Sequence, residues 1–333
     1  MGTTAPLTPD RVLRRLEWQV IRRLDGRLQG NYRTMLRGHG TDFRDVREYE
    51  TGDDVRHIDW NVTARMDEMF VRQYAEDREL TAWLLLDHSP SMGFGPVGRT
   101  KDHVLCEVAA TIAQLFVRGG NRVGAIVYDN ENVRTIPPRQ GRNQVLAIVA
   151  ELLRPAGRPG PSGPSSGRPG PGGRRGVAGR LPGRRRASGP PGGLRGPVTD
   201  LRQLLDLAPR VIRRRSLVVL VSDFISEPGW ERSLLRLTER HEVVAVRLVD
   251  RREFDLPDAG LLVVEDAETG EQLTVDSSDP QFRRRLRQAG QEREAAVGDA
   301  ARRAGVDLHV IATDDDLVHA LVRIVESRRR PRR

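Results

Sequence analysis

Apolar positions along the chain fall into two alternating rhythms. Runs such as Leu84-Leu85-Leu86, Ala125-Ile126-Val127 and Leu217-Val218-Val219-Leu220-Val221 are continuous, the pattern of strands buried on both faces of a parallel sheet. Between them, apolar residues recur three and four apart, the spacing of helices that bury one side. The first such stretch predicts a helix over 10–28, with apolar positions 13, 16, 20, 21 and 24 and Asp10 placed to cap it. Residues 29–80 are polar and charge-rich and read as short extended pieces and turns. A strand then runs from Trp83 into Asp87, and a helix over 101–117 stops at Gly119-Gly120. Strands follow at 122–128 and 133–136, helices at 144–153 and 200–207, a strand at 216–223, a helix at 230–240 and a strand at 242–248. An edge hairpin is expected over 261–275, turning at Thr269-Gly270. A long helix over 280–303, a strand at 307–312 and a helix over 315–326 close the pattern. Strand–helix alternation of this kind predicts an α/β fold, a doubly wound and mostly parallel sheet with helices on both faces.

The alternation breaks once. Residues 155–198 are almost entirely Gly, Pro, Arg, Ser and Ala, a composition that cannot bury a core and predicts a disordered insert. The chain therefore divides into an N-terminal helix and extended segment (1–80), a first half of the α/β domain (81–154), the insert (155–198), the second half (199–326) and a basic tail (327–333). This division changes the meaning of the charge. The formal net charge is +9, but ten arginines lie between Arg154 and Val198 and five in the tail. Without these fifteen, the body carries 40 basic against 46 acidic residues. Its basicity belongs to the insert and tail, which argues against a dedicated nucleic-acid-binding face, and no aromatic residue interleaves the Arg-Gly segment for base stacking. Lys101 is the single lysine among 55 basic residues. The one cysteine, Cys106, rules out a disulfide framework within the chain and reads as a small core residue. With no apolar run of membrane-span length and no signal-like segment, the expected location is cytoplasmic.

Candidate chemistry sits where the strands end. Asp87 closes the first strongly apolar strand, with Ser89 and Ser91 at alternate positions beyond it. Asp223 closes the second, and Thr199 opens the helix before that strand. Ligands of open α/β sheets bind at the carboxyl ends of strands, and carboxylates with hydroxyls are hard donors suited to Mg²⁺ or Mn²⁺. Asp, Ser, Pro and Gly are also ordinary turn residues. In the segment Arg47 to Arg65, Asp53, Asp54, His57 and Asp59 suggest metal or phosphodiesterase chemistry. Arg47, Arg56 and Arg65 among Glu48 and those aspartates fit an ion-pair network better, because one histidine lacks ligand spacing.

Asp87-His88-Ser89-Pro90-Ser91, Thr199 and Asp223 resemble the three motifs of a von Willebrand factor A domain. More closely, Arg47-Glu48-Tyr49-Glu50-Thr51-Gly52-Asp53-Asp54-Val55-Arg56-His57-Ile58-Asp59-Trp60-Asn61-Val62-Thr63-Ala64-Arg65, then 87–95 and Ser222-Asp223-Phe224, resemble the domain of unknown function 58 family over about 38–326, except the insert. The resemblance implies a von Willebrand A-type sheet with an N-terminal helix and an irregular β-containing segment packed on it. It also implies a metal-ion-dependent adhesion site. Ser89 and Ser91 would bind Mg²⁺ or Mn²⁺ through their hydroxyls, Thr199 or Asp223 directly or through water, and Asp87 would orient the water shell. One position would stay open for a partner's carboxylate. The implied role is a non-enzymatic protein-interaction module acting with a MoxR-type AAA+ ATPase in protein maturation or remodelling. The sequence departs from the family in carrying Gly196-Pro197-Val198, not a Gly-Gly run, just before Thr199.

Two rival readings have weaker support. Gly93 to Thr100 has the spacing of a phosphate-binding loop, but Arg99 stands where a lysine is needed and the loop starts six residues past Asp87. A hydrolase would use Ser89 or Ser91 with His88 or His103, yet no Gly-x-Ser-x-Gly is present and neighbouring strand-end residues point apart.

Overall fold

The computed structural model describes residues 8–24, 46–49, 58, 60–66, 68–72, 81–95, 99–130, 132–154, 199–268 and 270–327. The Asp53, Asp54, His57 and Asp59 group, the 155–198 insert, Gly196 to Val198, Thr269 and residues 328–333 lie outside them.

Helix α1 (Pro9–Leu16) continues through a π turn, Glu17–Ile21. Its N-cap is Thr8, not Asp10. The Asp10 carboxylate lies in the first turn and instead accepts a hydrogen bond from Arg142, at 3.1 Å. In the charge-rich segment, β1 (Val46–Glu48) pairs antiparallel with β2 (Phe70–Arg72). A short helix, α2 (Trp60–Met66), comes between them in the chain, where only turns and extended pieces were expected.

The main domain follows as β3 (Thr81–Asp87), α3 (Lys101–Arg118), β4 (Arg122–Tyr128), β5 (Val133–Arg139) and α4 (Arg142–Leu152). Beyond the insert come α5 (Leu201–Val211), β6 (Leu217–Ser222), α6 (Trp230–Thr238) and β7 (Glu242–Val249). The strands β8 (Leu261–Glu265) and β9 (Gln272–Asp276), α7 (Pro280–Ala304), β10 (Asp307–Ala312) and α8 (Leu317–Ser327) complete it. Six strands form one sheet in the order β10-β7-β6-β3-β4-β5. Every neighbouring pair is parallel except β4 with β5.

Side chains alternate across the sheet, so each central strand feeds two cores. Leu84 and Leu86 pack with Leu105, Ile112, Ile148 and Leu321, under α3, α4 and α8. Leu13, Leu16 and Leu24 join the same core, which anchors the N-terminal helix to the domain. Trp83 and Leu85 point the other way and pack with Leu204, Leu234 and Ala301 of α5, α6 and α7. Trp83 needs Gly124 opposite it on β4, because a Cβ there would lie 2.8 Å from the indole ring. The sequence suggests an edge hairpin over 261–275, but β8–β9 joins no edge of this sheet and forms a separate two-stranded unit. The sheet edges are already β10 and β5, and Leu261, Val263 and Leu273 of the hairpin remain exposed. Among the described residues, no helix is long and apolar enough to cross a membrane.

This topology fixes where a site can form. From β3 the chain moves to β4 on one side, and returns at β6 on the other. The crevice at the carboxyl ends of β3 and β6 is therefore the switch point of the sheet, where ligands of such folds bind.

Candidate functional site

Four of the five residues singled out in the sequence meet at that switch point. β3 delivers Asp87 and β6 ends one residue before Asp223. Asp87 Oδ1 accepts the Ser89 backbone N–H at 3.1 Å, turning the chain so that both serine hydroxyls face the crevice. The Ser89 and Ser91 hydroxyls lie 3.1 Å apart, and Ser91 donates to Asp223 Oδ2 at 2.9 Å. Across the crevice Ser222 donates to Asp87 Oδ2 at 2.6 Å and accepts the Phe224 N–H at 2.8 Å. Asp87, Ser89, Ser91, Ser222 and Asp223 are all buried.

Backbone conformation helps to aim these groups. Phe224 has φ +58°, a left-handed value that a bulky residue adopts only when its surroundings hold it there. It is held by the Ser222 hydroxyl and by packing on Trp230, with ring centroids 5.1 Å apart. The turn lets Asp223 Oδ1 accept the Ile225 N–H at 2.9 Å while Oδ2 faces Ser91. Asn130, with φ +65°, makes the corresponding bend after β4.

Thr199 is buried at the start of the next segment, and its hydrogen bonds go elsewhere. Its backbone N–H donates to Glu268 Oε2 at 2.9 Å and its hydroxyl contacts Glu268 Oε1. The same hydroxyl lies 2.8 Å from Asn130 Oδ1. Tyr128 ties this segment to β4 by accepting the Asp200 N–H at 3.0 Å.

The site contains residues that sequence reasoning did not place there. Lys101, wholly buried, donates to Asp223 Oδ2 at 2.6 Å and pairs with Glu253. Burial opposes its charge, but the Asp223 and Glu253 carboxylates outweigh burial and raise its pKa. The available signal was its being the only lysine in an arginine-dominated chain. Asp87 shows the opposite imbalance. Burial, then the negative charge of Asp223, push it up to about 7, although hydrogen bonds from Ser222 and Ser89 oppose the rise. Among the described residues no cation pairs with it. Glu253 is likewise raised, first by burial.

This donor set fits a hard divalent cation. It offers two buried carboxylates and serine hydroxyls; Asp223 pairs with Lys101, whereas no cation pairs with Asp87 among the described residues. No group of three or more His, Cys, Asp or Glu side chains able to hold a metal occurs among the described residues, so such a site would lean on hydroxyls. A cavity of about 490 Å³ opens over the site, lined by Ser91, Phe94, Ile225, Glu253 and Glu268 among others.

The groups of the rival readings are engaged differently. His88 Nε2 lies 3.0 Å from Asp102, and His103 Nδ1 contacts the Thr100 hydroxyl at 2.8 Å. Thr100, the last position of the phosphate-loop spacing, caps α3, while residues 96–98 lie outside the described residues.

The model of the family described as "Protein of unknown function DUF58" matches residues 45–296. An uncharacterized protein of Mycobacterium tuberculosis is 35% identical over 321 residues, 96% of this chain and 89% of that protein. Among solved structures, the chain is similar to the conserved hypothetical protein BatB from Bacteroides thetaiotaomicron, with a TM-score of 0.40, 11% identity and coverage of 75% of this chain and 97% of that one. It is also similar to the SpRpn10 VWA domain, with a TM-score of 0.35, 12% identity and coverage of 74% and 94%.

Proposed function

Since the chain belongs to the DUF58 family, we propose that it is a metal-dependent protein-interaction module. Asp87, Ser89, Ser91, Thr199 and Asp223 are the residues that would hold Mg²⁺ or Mn²⁺. The bound cation would supply a positive centre for a carboxylate of a partner protein. The chain's own residues bind and orient, and the scheme needs no nucleophile or general base. The partner implied by the family resemblance is a MoxR-type AAA+ ATPase, with the module acting in protein maturation or remodelling.

One observation carries this reading. Oxygen donors from two strands far apart in sequence converge at the switch point, through the Ser89–Ser91–Asp223 hydrogen bonds and the Ser222–Asp87 bond. Burial, and after it the negative charge of Asp223, raises the pKa of Asp87, while Asp223 itself pairs with Lys101. A divalent cation beside Asp87 would favour its charged form.

The test is thermal unfolding with Mg²⁺ and with EDTA. At about a hundred times its Kd, Mg²⁺ stabilises the folded state by about 2.7 kcal/mol. Asp87→Ala and Ser89→Ala are expected to abolish or shrink the shift. The same shift in both variants refutes the assignment. Affinity capture from native cells, with and without EDTA, then asks whether an AAA+ ATPase is retained only when metal is present.

A further inference from the structure

Glu268 occupies an unusual place. It lies between β8 and β9, where the described residues around it make local hydrogen bonds. Gly270 N–H donates to the Asp266 carbonyl at 2.8 Å, and Asp266 N–H to the Glu271 carbonyl at 2.9 Å. The Asp266 side chain accepts the Glu268 N–H at 2.8 Å. The tip so formed presents the Glu268 carboxylate to one residue 69 positions earlier, Thr199. Both oxygens are used, Oε2 on the Thr199 N–H and Oε1 on its hydroxyl.

The hydroxyl has one proton and two apparent acceptors, Glu268 and Asn130. The carboxylate is the stronger acceptor, so the proton goes to Glu268 and the Asn130 amide turns its NH₂ toward Thr199 Oγ1. Thr199 is fully buried, whereas Glu268 and Ser91 both line the 490 Å³ cavity. Glu268 therefore caps Thr199 on the side from which a ligand would approach the site. A carboxylate oxygen in contact with a donor hydroxyl is also adjacent to any cation that the hydroxyl binds.

We propose that Glu268 is the site's own carboxylate ligand, held by the β8–β9 turn in the position otherwise available to a partner's carboxylate. This rests on the metal-dependent reading above. It makes partner binding an exchange: the hairpin tip lifts, Glu268 leaves, and the partner's acidic side chain takes its place. The hairpin is suited to such a movement because it forms no strand pairing with the main sheet.

The experiment measures Mn²⁺ binding to the full chain by the loss of the free-ion electron paramagnetic resonance signal. Wild type, Glu268→Gln and Glu268→Ala are compared. Both variants are expected to bind Mn²⁺ about 10- to 100-fold more weakly, with thermal midpoints in EDTA close to wild type. Excess sodium acetate should restore Mn²⁺ affinity to Glu268→Ala, whose truncated side chain leaves room, and leave wild type unchanged. Wild-type affinity in either variant, or a loss in Glu268→Ala that acetate does not restore, overturns the proposal. If wild type itself binds no Mn²⁺, the metal-dependent reading fails and this proposal fails with it.

Discussion

Replacing Lys101 by methionine removes the one ammonium from the crevice and leaves its stem volume nearly filled. In the native protein, Lys101 lies 2.6 Å from Asp223 and also pairs with Glu253, with side-chain exposures of 0%, 1% and 12%. Breaking a buried ion pair by removing one partner costs about 3–5 kcal/mol, because the remaining charge is stranded. Methionine opens little cavity, so the loss is electrostatic. For a domain of this size it corresponds to a fall of roughly 10 °C in thermal midpoint. The variant also acquires a pH signature. Without the ammonium, the lowering effect of Lys101 on the Glu253 carboxyl is lost, and burial raises that carboxyl further above its value in the unfolded chain. The penalty from the charged Glu253 is largest well above its raised folded pKa and fades as pH falls through it. Urea unfolding in EDTA, followed by far-ultraviolet circular dichroism at pH 7 and pH 5, measures both effects. A lower midpoint with an unchanged slope is expected at pH 7, and a smaller difference at pH 5. A loss below about 1 kcal/mol at pH 7, or one of the same size at both pH values, refutes the view that this ammonium neutralises the crevice.

Two further outcomes follow from buried titrating groups. The His88 pKa is raised because Asp102 outweighs the opposing effect of burial, so His88 adds stability that is complete below its unfolded pKa of about 6.5 and is lost as pH rises through the folded value. Asp102→Asn should flatten this part of the stability–pH curve, as followed by urea midpoints; an unchanged curve removes Asp102 as the cause. The buried Cys106 thiol is pushed up to about 12, chiefly by burial, so a thiol reagent at pH 8 should label it only as fast as the protein opens. Rapid labelling of the native protein would contradict that burial.

Much of the fold was legible because burial writes itself into the sequence. Leu84 to Leu86 and Leu217 to Val221 serve two cores at once, so their apolar runs are unbroken and the strands could be located directly. The carboxylates that end those strands were legible for the same reason. Boundaries that depend on specific contacts were not. Asp10 looks like a cap, but Thr8 holds that position and Asp10 reaches Arg142 on another helix. The 261–275 hairpin has the alternation of an edge strand, yet nothing in that alternation states which sheet it joins. The partners of the site were hidden for a different reason. Lys101 opens a helix and Glu253 lies in a short helical turn, and only the fold brings them to Asp223. Glu268 likewise looks like one more acidic turn residue until the hairpin folds back on Thr199.

The contacts that build the crevice join residues 132 and 135 positions apart. Neither half of the domain assembles this hydrogen-bonded cluster alone, since the amino-terminal half brings Ser89, Ser91 and Asp87 and the carboxyl-terminal half brings Ser222 and Asp223. During synthesis, the first half therefore emerges with its hydroxyls and one aspartate unmatched, and the site appears only when β6 docks beside β3. The length of chain between the halves weighs little on that docking, because each doubling of a closing loop costs only about 0.6 kcal/mol. The distance in sequence slows the search more than it weakens the result. An intact crevice is thus a marker of completed folding, and a partner that recognises it would engage only finished molecules of this protein.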